Sequence, residues 1–291
     1  MNRADISWTA SLAASRVIRE RGVLTLPVDP IAIARSVGIK VVAKPASAQG
    51  VSGMLIRHGN NFAIAYATHI DSPGFQNFSV AHELGHYFLE GHVDAVIGAD
   101  GVHQSHAGFS SDDRYELEAD HFAAALLMPD VLFGAAVSRA GEGLAAVESL
   151  SALCVTSLTA TAIRYSQCAE EAMAGVVSKG QRINYCFMSK ALLEIAGPNR
   201  IGKGEALPPG SPTEIFNRDA ARIGRADRTT GESDLQDWIG GRHSVALTEE
   251  VVGLGGYGRT LTVLTAQGAA DLEELQEEEK MIESWKPRFR R

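Results

Sequence analysis

Cysteine is scarce in this chain, and the little there is does not form a framework. Cys154, Cys168 and Cys186 are odd in number, widely spaced and contain no C-x-x-C pair. That excludes a disulfide scaffold and a cysteine zinc knuckle as organising principles. Long apolar runs are also missing: no stretch approaches the roughly 20 residues that cross a bilayer. The opening Met1-Asn2-Arg3-Ala4-Asp5 lacks the apolar segment of a secretory signal. The expectation is a cytoplasmic protein with no membrane partner. Basic charge is in deficit as well, with 27 Lys and Arg against 35 Asp and Glu and a net charge of −8. Such a balance speaks against whole-chain affinity for nucleic acid, while leaving room for a local basic surface. No phosphate-binding loop is present. The glycine-rich Gly253–Gly258 precedes a strand-like segment rather than opening a helix, so it reads as a turn.

What remains is ordinary globular material. The 291 residues are 45% apolar and 21% charged, enough for two domains divided near residue 170. Residues 8–22 predict a helix with Leu12, Ala13, Val17 and Ile18 on one face, and residues 31–37 a shorter one. Strands are expected at 39–43, 51–57 and 61–67, the last two joined by a turn at His58-Gly59-Asn60. Residues 68–77 read as loop. A helix follows from about Phe78 to Leu89, with Asn77 or Ser79 as its cap. Residues 93–111 look like a surface loop, and a helix then spans about Asp113 to Met128, stopped by Pro129. The pattern from 130 to 167 stays helical. Beyond about residue 168 a hairpin is expected from 175–178 and 182–188, then strands at 244–252 and 259–266, and a closing helix from Ala269 to Trp285.

The chemistry concentrates in His82-Glu83-Leu84-Gly85-His86, an H-E-x-x-H. On a helix, positions i and i+4 share a face, so two imidazoles can converge on one ion. The glutamate between them can act as general base towards a water whose pKa the zinc lowers to about 7. The bland alternative, two surface histidines on an amphipathic helix, is weakened by the apolar Phe78, Val80, Leu84, Tyr87 and Phe88 around the motif. A catalytic zinc needs a third protein ligand. Glu116, in Glu116-Leu117-Glu118-Ala119-Asp120, is the best placed, with Asp120 one turn on to accept the spare N–H of a ligand histidine. Glu118 points about 200° around the helix from Glu116. His92 completes the histidine spacing of the metzincins, but Gly91 stands two residues after the position where that motif breaks its helix. His103, His106 and His121 are assigned no role.

FSVAHELGHYFLEGH followed by ELEADHFAAALLMP resembles the ImmA/IrrE family of metallopeptidases, and VSGMLIRHGNNFAIAYA resembles the hairpin that leads into its active-site helix. The resemblance spans roughly residues 25–165. It implies an α+β protein: a minimal zincin-like core of helices with a small antiparallel sheet, a helix-turn-helix-like element, and a sensor-like C-terminal α+β domain. The expected boundaries are 1–129, 130–168 and 169–291. The resemblance also implies Zn2+ (or Mn2+) at His82, His86 and Glu116, with Glu83 as catalytic acid/base. The substrate it implies is a helix-turn-helix transcriptional repressor whose cleavage releases stress-response or mobile-element genes. LSALCVTSLTATAIRY resembles a helix-turn-helix, yet Arg164 is nearly its sole basic residue, so DNA is not an expected partner. Two rivals to the peptidase are a non-proteolytic module that sequesters a repressor or toxin, and a DNA-binding regulator. For substrate binding, the strand 61–67 is the expected edge for an added peptide strand, with Tyr66 and Tyr115 as candidate oxyanion donors.

Overall fold

Three helices in this protein begin in the same way, with an oxygen-bearing side chain followed by proline. In the computed structural model, Asp29 precedes Pro30, Ser72 precedes Pro73 and Ser211 precedes Pro212. In each pair the first residue accepts hydrogen bonds from free N–H groups of the first turn, and the proline's locked φ suits the first helical position. The structure describes residues 3–44, 50–70, 72–105, 113–240 and 244–268. It divides into two compact units, residues 1–140 with 148–161 and residues 141–147 with 162–291. The expected closing helix from Ala269 lies outside the described residues.

The first unit contains α1 (Arg3–Glu20), α2 (Pro30–Ser36), β1 (Lys40–Lys44), β2 (Gly53–His58), β3 (Asn61–Ala67), α3 (Pro73–Phe88), α4 (His92–Val96), β4 (Val102–Ser105), α5 (Arg114–Leu127) and α6 (Asp130–Ala140). The helices α7 (Gly143–Cys154) and α8 (Leu158–Cys168) contribute residues to both units. The sheet order is β1-β3-β2-β4. β2 pairs antiparallel with β3 and β4, whereas β1 runs parallel to β3, so the expected antiparallel sheet is in fact mixed. β3 is therefore interior. The expectation that a substrate strand adds to 61–67 is overturned, because both of its edges are taken.

Two further expectations fail locally. The helix bearing H-E-x-x-H starts at Pro73, not near Phe78: Ser72 caps it, and the proline taken as a loop signal is its first residue. The stretch 93–111, expected as surface loop, contains α4 and β4. β4 reads Val-His-Gln-Ser, with no apolar alternation to announce it; it is a strand because β2 supplies its backbone partners.

α3 packs on β2 and β3 and against α5, and α1 packs on α5. The shared core includes Leu55, Ile64, Val80, Ala81, Leu84, Phe122, Leu126 and, from α1, Ala10, Ala14 and Val17. The buried face of α1 is thus centred on alanines, and Leu12, expected inside, is 57% exposed. Small residues let α1 lie close on α5, and that outweighs the larger apolar side chain. α3 and α5 approach through Gly85, where an added Cβ would stand 3.0 Å from the Cα of Ala119.

The second unit is built on a five-stranded antiparallel sheet. Its strands are β5 (Met173–Lys179), β6 (Arg182–Met188), β7 (Arg228–Asp234), β8 (Ala246–Gly253) and β9 (Thr260–Ala266), in the order β6-β5-β9-β8-β7. Four of the five match expected strands. β7, RTTGESD, has no apolar residue and lies at the edge, where a polar strand is tolerated. On one face Ala174, Val176, Leu247 and Leu264 join a core with Leu192, Leu235 and Trp238. On the same face Glu249 is fully buried and accepts the N–H and hydroxyl of Thr213, each at 2.6 Å. Gly253–Gly258 forms the turn between β8 and β9, as expected. Among the described residues no single helix is long and apolar enough to cross a membrane.

Replacing Gly85 by valine should force α3 and α5 apart and cost about 1–3 kcal/mol of stability. A urea titration measures this. An unchanged midpoint would mean that the helices do not meet at this glycine.

Candidate metal centre

His82 and His86 are one helical turn apart on α3, and their Nε2 atoms are 3.1 Å apart. Because α5 comes in over Gly85, Glu116 in its first turn reaches both rings: Oε2 lies 3.2 Å from His82 Nε2 and Oε1 3.5 Å from His86 Nε2. A fourth group arrives from β4, where His103 Nε2 stands 3.2 Å from Glu116 Oε1. One ligand atom from each of these four residues lies within 4.8 Å of all the others. Ligands about 2.0–2.1 Å from a tetrahedral zinc are themselves separated by about 3.3–3.5 Å. The distances found here are of that size, and imidazole with carboxylate is a donor set that zinc accepts.

Behind the cluster, each helical histidine is held in one tautomer. Asp120 Oδ1 is 2.9 Å from His82 Nδ1. A carboxylate only accepts, so Nδ1 carries the proton and Nε2 turns a lone pair to the centre. For His86 the same result comes through a relay. Arg114 Nε donates to Glu118 Oε1 at 2.6 Å, Glu118 Oε2 is 2.7 Å from His92 Nε2, and His92 Nδ1 is 3.2 Å from His86 Nδ1. With the proton of His92 on Nε2, its Nδ1 accepts from His86 Nδ1, and His86 Nε2 also faces the cluster bare. Tyr115 packs edge-on against His92, ring centres 5.0 Å apart, which places this tyrosine beside the relay.

The electrostatics follow from burial and these partners. Burial and the nearby positive charges of His82 and His103 push His86 down to about 2, keeping it neutral. Burial acts to lower His82 too, but its bonds to Asp120 and Glu116 prevail and push it up to about 10. Burial disfavours the charge on Glu116, yet the facing His103 and His82 hold its carboxyl well below the usual carboxylate range.

Glu83 sits beside this cluster and differs from every other acid in it. It is fully buried, and neither carboxylate oxygen has a hydrogen-bond partner. Burial pushes its carboxyl up, and the charge on His82 and the Ser105 hydroxyl, which lies close by without forming a well-aligned bond, pull it back. Room for it exists because residue 53 is glycine: a Cβ there would overlap Glu83 Oε1. Gly53 pairs with Ser105 across β2 and β4, and Leu55 pairs with His103, so these four residues share the sheet face that α3 covers. A buried, unpartnered carboxylate beside a cluster of cation-binding groups is the feature that calls for a metal ion with its solvent.

The structure thus brings together His82, Glu83, His86, Glu116 and Asp120. The two rival third ligands, Glu118 and His92, pair with one another behind His86. His103, given no role from sequence, stands in the cluster. No local pattern marks it, because β4 is a strand only through its pairing with β2. His106 lies outside the described residues, and Tyr66 lies opposite Gly53 on β3.

Replacing Asp120 by alanine frees His82 to rotate and change tautomer. Zinc affinity should fall about 10–100-fold, as read by competition with a chromophoric chelator. Equal affinities would mean that the Asp120 bond does not orient the ring.

Residues 34–160 match the model of the IrrE N-terminal-like domain of the peptidase M78 family. No curated protein matches the chain. Among solved structures, a Mycobacterium tuberculosis transcriptional regulator is similar, with a TM-score of 0.54 and 16% identity over 90% of this chain and 88% of that one. That likeness is one of fold. All four clustered residues and Glu83 fall inside the segment that is similar to the IrrE N-terminal-like domain of peptidase M78.

Proposed function

We propose that the protein is a zinc-dependent endopeptidase in which His82, His86 and Glu116 hold the ion and Glu83 moves the proton. The observation that carries this is Glu83 itself: a buried carboxylate with no partner, next to a cluster built to hold a cation. A structural site has no use for such a group, whereas a hydrolytic one needs a base. A divalent cation bound here supplies Lewis acidity towards a carbonyl and acidifies a water molecule. Zinc suits the donor set, and manganese is the alternative. Glu83 takes a proton from water as the scissile carbonyl is attacked and passes it to the leaving nitrogen, breaking the peptide bond. Its raised pKa favours the holding half of that cycle. Asp120 and the Glu118–His92 pair keep the two imidazoles aimed at the ion throughout.

The substrate in this proposal is a helix-turn-helix repressor, as the family resemblance implies, and its cleavage would relieve repression of stress-response or mobile-element genes. The reading places the protein in the cytoplasm, with no membrane or DNA partner. A second reading is a regulatory module whose metal site is structural. It is favoured by one observation, the convergence of four protein groups where a catalytic site commonly has three.

Incubating candidate helix-turn-helix repressors with zinc-loaded protein and running a gel separates the two. Fragments are expected from the wild type. Glu83→Gln should retain zinc and cleave about 10²–10⁴-fold more slowly. A stable complex that yields no fragments with either protein would establish the binding module instead. Gly53→Ala should leave zinc affinity intact and reduce the cleavage rate by about 10²-fold, because the new methyl displaces Glu83. A variant as active as wild type would show that the position of Glu83 is not critical.

A further inference from the structure

We propose that His103 closes the metal centre: its Nε2 takes the coordination position that a catalytic zinc keeps for solvent, and strand β4 must come away from β2 before the site can act. The proposal rests on the metallopeptidase reading above and adds a means of regulating it. Three observations carry it.

The first is distance. His103 Nε2 is 3.2 Å from Glu116 Oε1, the separation of two ligands on one ion, and its other polar neighbour is the Ser105 hydroxyl of the same strand, also at 3.2 Å. A histidine serving instead as donor to a substrate carbonyl would have to stand off by the width of that group. The edge-to-face contact of its ring with His86, centres 4.4 Å apart, leaves no such space. The second is direction. His103 lies opposite Leu55, whose side chain is buried under α3, so strand pairing itself aims the imidazole at the helix that carries the other two.

The third is the element that carries it. β4 has four residues and is an edge strand, paired only with β2 in the described sheet. Among the described residues, its attachments beyond the ladder are backbone and hydroxyl hydrogen bonds. Ser52 donates from its N–H (2.9 Å) and its hydroxyl (3.0 Å) to the carbonyl of Ser105, and Arg57 N–H donates to the carbonyl of Gly101 at 2.8 Å. Three ligands stand on helices packed in the core, and the fourth stands on a short edge strand, the kind of element that opens at lower free energy than a core helix. Pulling β4 away would leave His82, His86 and Glu116 in place, open one coordination position and expose Glu83 to solvent at the same moment.

The test uses tag-free full-length protein loaded with one equivalent of zinc. X-ray absorption at the zinc edge should count three imidazoles in the wild type and two in His103→Ala. Acetohydroxamate, a small chelator that needs a free coordination position, should bind His103→Ala at least tenfold more tightly than wild type. His103→Gln, closer in size, should behave like the alanine variant. Ser52→Ala, which touches no ligand and loosens only β4, should shift acetohydroxamate binding in the same direction. Two imidazoles in the wild type, or equal acetohydroxamate affinities in wild type and His103→Ala, would overturn the closure while leaving the metal centre standing. Wild type that takes up no zinc would overturn the metallopeptidase reading and the closure together.

Discussion

The close passage of α3 over α5 at Gly85 is the constraint on which the centre depends. Two histidines on one helix can offer a pair of lone pairs, but a carboxylate must come from elsewhere and must reach both. A side chain at residue 85 would hold α5 away by the thickness of that side chain, and the arm of Glu116 could not recover the distance. The same approach seats Asp120 against His82 and Glu118 against His92, since all three acids project from one helix. One glycine thus sets the position of the carboxylate in the cluster and of the two carboxylates behind it.

The charges of the centre make sense as one balanced group. His82 and Glu116 stabilise each other's ionised forms, and the cost of burying them is met by that pairing. His86 is kept neutral by the same burial and by the positive charge of its neighbours. Protons are excluded from its Nε2 and a lone pair is presented in their place. Glu83 has less support. Its burial is offset only in part, by the charge on His82 and the nearby Ser105 hydroxyl, and the space it occupies is kept open by a glycine in the strand opposite. A buried carboxylate of this sort beside a cluster of cation-binding groups is a mark of function.

The helix pair α7 and α8 resembles a helix-turn-helix in sequence, and the two helices meet at 113°. The turn between them contains Val155 with φ of 53°, a conformation that a β-branched residue rarely takes. α8 has one basic side chain, Arg164, which donates to Gln167. A helix so poor in cations has little to offer phosphates.

Much of the centre was legible before folding. H-E-x-x-H needs only helical periodicity to place two imidazoles on one face, and Glu116 and Asp120 share a face by the same rule. Periodicity likewise marks β3, β6 and α5, whose patterns are local. What sequence could not decide depended on partners distant along the chain. β4 has no pattern of its own and exists because β2 offers it hydrogen bonds; His103 enters the cluster only through that pairing. β3 reads equally well as an edge or an interior strand until β1 is found beside it. Ser72-Pro73 reads as a loop unless the proline is recognised as the first residue of a helix. Side-chain chemistry at fixed helical spacing was therefore determined by sequence alone. Which strand lies beside which, and so which fourth group joins the cluster, was decided by tertiary structure, because backbone hydrogen bonds between strands carry no residue code.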